Sequence, residues 1–160
     1  MTDPLSVSAG VIAVVALAYN SSKALYEFVK DIHGAPKTLK DLKVDLEALQ
    51  QVLNSLRAKL DGVPNANLSD SLKWLLDDIN PPLEGCAEAC EEFHTRLMKI
   101  TPNSNESHTS FRNKVKLQFQ DKDIVAFRYR LGSYKATLNV ALSFASLCVV
   151  PNNIHDVRTD

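Results

Sequence analysis

Cys86, Cys90 and His94 recur at every fourth residue, a spacing that brings two thiols and an imidazole near one face of a helix. Thiolate and imidazole are zinc ligands. A site on one helix would still need a fourth ligand from elsewhere, and this spacing is not that of a zinc finger. Cys86 and Cys90 also fall in an apolar repeat with Leu83, Phe93, Leu97 and Ile100, where a free cysteine behaves as a small hydrophobe. Packing is the better reading, and Cys148, near the end of the last apolar repeat, reads the same way. No metal and no cofactor is expected.

Catalysis has little to stand on. There is no Gly-rich phosphate loop, no G-x-S-x-G and no H-E-x-x-H, and of the 4 histidines His108 and His155 sit in polar stretches. The chain is read as a non-enzyme. The sequons at Asn20, Asn67 and Asn105 are chance patterns in a cytosolic chain. With 160 residues, 45% of them hydrophobic, one domain can bury a core without staples, and 3 scattered cysteines fit a reducing, cytoplasmic setting.

A formal net charge of -1 excludes a general electrostatic grip on nucleic acid. Charge is nevertheless uneven. Arg112, Lys114, Lys116, Lys122, Arg128, Arg130 and Lys135 face only Asp121 and Asp123 within their stretch. Such a run is either a solvated face or a contact for anionic lipid, where each basic side chain near the surface contributes ~1 kcal/mol.

The opposite extreme is the front of the chain. Residues 4–22, PLSVSAGVIAVVALAYNSS, hold no charge at all. A signal peptide would need a basic start, and only Asp3 is charged ahead of the run. Polar residues at both ends leave Leu5 to Tyr19 as the strongly apolar part, which argues against a constitutive span and leaves conditional insertion open. Leu5, Val7, Val11, Ile12, Val14, Val15, Leu17 and Tyr19 are the membrane-seeking candidates. Ser6, Gly10, Ala13, Ala16 and Asn20 form a stripe of small side chains that lets helices approach closely, in a membrane or in a soluble bundle.

These residues need elements to position them, and the periodicity supplies helices. Asp3-Pro4 is a helix start and Gly34 with Pro36 a stop, which predicts a first helix over residues 4–33. Leu39, Leu42, Leu46, Leu49, Leu53, Leu56 and Leu60 form a heptad seam over residues 38–61. Leu68, Leu72, Leu75 and Ile79 predict a short helix, and Asn80-Pro81-Pro82 the start of another through residue 100 in the same phase. Residues 101–110 read as a loop and 115–119 as a short extended segment. Asp121 then caps a last helix with the seam Ile124, Phe127, Leu131, Tyr134, Leu138, Leu142 and Ala145, ending near Cys148. The expectation is an all-α antiparallel four-helix bundle with one interrupted arm over residues 1–150. Residues 151–160 read as a polar tail or the start of a linker.

The opening D-P-L-S-V-S-A-G-V-I-A-V-V-A-L-A, then A-P-K-T-L-K-D-L, P-L-E-G-C-A-E-A-C-E-E-F at 82–93 and D-K-D-I-V-A-F-R-Y-R-L-G-S-Y-K-A-T-L-N-V-A-L at 121–142, resemble the fungal HeLo-like N-terminal domains. These are described both from azaphilone pigment cluster protein L and from fungal STAND, or NOD-like, receptors. The resemblance implies a bundle related to the membrane-active bundles of necroptosis effectors and plant resistance proteins. It implies further that the first helix acts at the plasma membrane once the receptor oligomerises, triggering regulated cell death. Anionic lipid, a second copy, and a C-terminal receptor domain or partner protein are then the expected partners. The alternative is a non-lytic interaction or oligomerisation module whose first helix never leaves the core.

Overall fold

The computed structural model describes residues 4–62, 69–100 and 121–148, with the side chains of residues 4–8 left out. Four helices account for nearly all of them: α1 (Pro4–Lys30), α2 (Lys37–Asp61), α3 (Asp70–Ile100) and α4 (Asp121–Cys148). No strand occurs among the described residues. The loop expected at 101–110, the extended segment at 115–119 and the tail at 151–160 lie outside them.

Each boundary has a local cause. After α1, Gly34 takes φ 70°, the left-handed conformation that a side chain disfavours and that turns the chain toward α2. Pro36 precedes α2 with its ring suited to a helix entrance. Ser69 caps α3, its hydroxyl accepting the Leu72 amide at 3.3 Å.

One expectation is overturned. α3 is a single helix that runs through Pro81 and Pro82 instead of two pieces joined there. The two prolines withhold the amides that would bond the carbonyls of Asp77 and Asp78, and an interior proline costs about 3 kcal/mol. That side of the helix lies at the surface, where Asp77, Asp78 and Pro81 are exposed and water can serve the freed carbonyls. The opposite side carries Leu72, Leu76, Ile79, Leu83 and Cys86 into the core without a phase break, and Asn80 bonds Glu84 across the turn at 3.2 Å. Burying that stripe offsets the lost bonds. It also selects Leu76 over Leu75 as the core residue of the first turns, just as Ala141 takes the buried place expected of Leu142 in α4.

The seam of α2 is buried as predicted, all seven leucines included. Around it, α1 packs against α2 and α3, and α4 packs against the same two, so α1 and α4 occupy diagonal corners. Successive helices alternate in direction, but two walls of the bundle are parallel. Ser21 meets Glu91 and Phe28 meets His94 between α1 and α3, while Thr38 meets Asp121 and Asp45 meets Arg128 between α2 and α4. α2 and α3, although successive in the chain, therefore occupy the other pair of diagonal corners. Consequently the start of α1, the start of α3 and the end of α4 lie at one end of the molecule.

Candidate functional site

The uncharged stretch of α1 turns one seam inward. Val11, Val15, Ala18, Leu25 and Val29 are buried at alternating steps of four and three, with Ser22 filling the place between Ala18 and Leu25. Ile12, Val14, Ala16 and Tyr19 are half-buried at the edges. Leu5, Val7 and Ser6 lie outside the described side chains. Of the stripe of small residues, Gly10, Ala13 and Asn20 face outward while Ala16 is half-buried, and a Cβ built on Gly10 would meet nothing within 4 Å. Leu17, 47% exposed, stands among them. The outer face of a helix on a soluble bundle normally carries charge. Here Ala9, Gly10, Ala13, Leu17 and Asn20 form that face, and the first charged residue after them is Lys23.

Further along, the hold on α1 becomes polar. Ser21 donates to the Glu91 carboxylate of α3 at 3.3 Å, and the fully buried Ser22 hydroxyl bonds back to the Tyr19 carbonyl at 2.9 Å. On α2 the Gln50 side-chain nitrogen is buried without a hydrogen-bond partner, a defect that costs about 1–3 kcal/mol. The middle of the bundle is therefore held less firmly than a continuous leucine seam would hold it.

The basic residues separate into two groups. Arg128 is committed to α2, its Nε donating to Asp45 at 2.6 Å and its Nη1 to Asp41 at 3.4 Å. The bond to Asp45 and the charges of both carboxylates outweigh burial and raise its pKa above the usual guanidinium range. It holds α4 to α2 and is not available to a headgroup. Lys122 and Arg130 are exposed. Arg112, Lys114 and Lys116 lie outside the described residues.

The cysteine and histidine repeat resolves as packing. Cys86 and Cys90 are fully buried, and His94 lies with its ring centroid 5.0 Å from that of Phe28. The Cys86 sulfur beside it, together with burial, pushes the Cys90 thiol far up, so it stays protonated. No group of three His, Cys, Asp or Glu side chains suited to a metal ion occurs among the described residues.

One surface escaped the sequence reading. Trp74 of α3 is 75% exposed and lines a groove of about 520 Å³ with Leu75, Val140 and Phe144, flanked by the carboxylates of Asp70 and Asp78. The signal was present in α4, where residues 136–148 hold no charge.

No curated protein matches the chain. No solved structure does either. Residues 2–157 match a family described as pigment biosynthesis cluster protein PigL N-terminal, the family that the apolar opening and the later arms resemble. The match covers nearly the whole chain, and all four helices fall within it. The chain, helical in its described elements, belongs to the PigL N-terminal family.

Proposed function

We propose that the chain is a non-catalytic effector or signalling module of a fungal NOD-like receptor system. Clustering brings its first helix to the cytoplasmic face of the plasma membrane to trigger regulated cell death. The observation that carries this reading is the outer face of α1. It is solvent-exposed yet uncharged from Ala9 through Asn20, on a helix long and apolar enough over Ala9–Lys30 to cross a membrane. A face of that kind is suited to lipid or to another helix, and small residues at Gly10 and Ala13 allow either to come close. The exposed Lys122 and Arg130 add attraction to anionic headgroups.

The test is dye release from anionic and from neutral vesicles by the full chain, before and after artificial clustering, with helicity followed by circular dichroism. Release that needs clustering and anionic lipid supports the reading. A folded, clustered chain that releases nothing points instead to the non-lytic interaction module, a reading that the exposed apolar groove beside Trp74 favours on its own account.

A further inference from the structure

We propose that a second copy of the chain docks on the outward face of α4, forming a two-fold dimer in which the two α4 helices run antiparallel and cross at Ala136. Opposite its buried seam, α4 carries a second stripe: Val125, Tyr129, Gly132, Ala136, Val140, Ser143 and Leu147, all exposed. At 100° per residue these seven positions fall within an arc of about 80°. The large ones are conspicuously bare, Tyr129 at 83%, Leu147 at 74%, Val140 at 71% and Val125 at 50%.

The stripe is complementary to itself. Placed antiparallel about Ala136, Val125 of one copy lies level with Leu147 of the other, Tyr129 with Ser143, and Gly132 with Val140. Each bulky side chain thus meets a small one or an apolar equal. Ser143 donates its hydroxyl to its own helix at the Asn139 carbonyl, 2.9 Å away, so it brings no unpaired donor into the contact. Ser146 does the same toward Leu142 at 2.9 Å.

Charge follows the same symmetry. A two-fold axis perpendicular to α4 sets the α3 side of one copy beside the α3 side of the other. Arg130 lies on that side, where it shares a cleft with Glu92 and Arg96 of α3. In the dimer it comes level with Val140 and Phe144 of the second copy, next to the groove that Asp70 and Asp78 flank. Lys122, also exposed, lies about two turns before Arg130 on α4. Basic side chains of each copy thereby meet the acidic rim of the other, twice over.

From Val125 to Leu147 the contact spans about 33 Å of helix. One helix in width, it buries on the order of 1,000 Å² in total, the lower limit of a specific interface. Association is accordingly expected at micromolar concentration. Because α1 sits at the diagonal corner, dimerisation leaves its outer face uncovered. The dimer does not depend on what α1 does at a membrane.

Analytical ultracentrifugation of the full chain from 1 to ~300 µM tests it, together with Ala136→Glu, which sets two carboxylates against each other on the axis. Ala136 is exposed, so the variant keeps the fold, as circular dichroism will verify. The expected result is a concentration-dependent dimer that Ala136→Glu weakens at least ~10-fold. Orientation is read by oxidative cross-linking in a Cys148→Ser background. Ala136→Cys should link to itself, whereas Val125→Cys and Leu147→Cys should link to each other and not to themselves. A chain that stays monomeric throughout, a dimer indifferent to Ala136→Glu, or cross-linking of Leu147→Cys to itself overturns the proposal. Vesicle release in the absence of any dimer would overturn it while leaving the membrane reading intact.

Discussion

Leu17→Asp separates the proposed membrane action from folding, because Leu17 sits in the uncharged outer face of α1 and takes little part in the core. At 47% exposed it has about half its surface buried, and full burial of a leucine contributes about 1.5–3 kcal/mol. Losing that half costs roughly 1 kcal/mol, and the poorer helix propensity of aspartate adds about 0.5 kcal/mol. Against a stability of about 5–15 kcal/mol the chain stays folded, with a melting temperature lower by about 3–6 °C for a domain of this size. At the membrane the balance is different. Exchanging leucine for aspartate near the centre of an inserted helix costs about 3–4 kcal/mol, which is more than 100-fold in affinity. Vesicle flotation with anionic lipid, run beside thermal unfolding by circular dichroism, measures both quantities on the same protein. The matched contrast is Val15→Asp, two residues away and fully buried. There an unpaired charge costs several kcal/mol and the fold itself is lost, so that variant can say nothing about lipid. Deleting residues 1–22 has the same defect, since it removes Val11, Val15 and Ala18 from the core. A folded Leu17→Asp chain that floats as well as the parent would refute the reasoning.

Gly85 stands mid-helix in α3, where a Cβ would approach the Tyr134 hydroxyl to 3.0 Å but no other atom closer than 3.5 Å. Gly85→Ala alone should therefore be near neutral. In a Tyr134→Phe background it should add about 0.5–1 kcal/mol, the helix-propensity difference; equal gains in both backgrounds by urea unfolding would show the contact to be wrong. Thiol titration should find Cys148 reacting at once in the native chain, while Cys86 and Cys90 react only with unfolding, because both are fully buried and the Cys90 thiol is held protonated. Three fast thiols would mean that the α3 seam opens readily.

How far the sequence reveals this molecule depends on what each helix must satisfy. α2 has one environment on each side, leucines inward and charges outward, so its seam and bounds read off directly. α3 deceived at Pro81 and Pro82, since the penalty of a proline is local and visible in sequence. The compensation, a stripe kept in phase from Leu72 to Ile100 across the break, depends on the neighbours that cover it. The diagonal placement of α2 and α3 left no mark in the periodicity, which fixes which residues turn inward and not which helix they meet. Polar details such as Ser21 against Glu91, or Arg128 clamped by Asp41 and Asp45, join residues on different helices, and their partners become legible only once the helices are placed.

α1 and α4 share the harder case. Both are uncharged along about half their length, α1 over residues 4–22 and α4 over 136–148, and an apolar helix is expected to be central to the core or covered by a partner. Neither is central. They stand at opposite corners, each with one seam in the core and one uncharged face toward solvent. Composition alone cannot distinguish a helix surrounded by its own fold from one that has a second environment waiting. What distinguishes them is the residue type at the exposed positions. On α1 these are small, around Gly10 and Ala13, suited to close approach by a helix or by lipid chains. On α4 they alternate large and small, Tyr129 and Val140 about Gly132 and Ala136, suited to a surface of the same shape. On the two proposals the faces answer to different partners, and a substitution in either should leave the other's proposed contact unchanged.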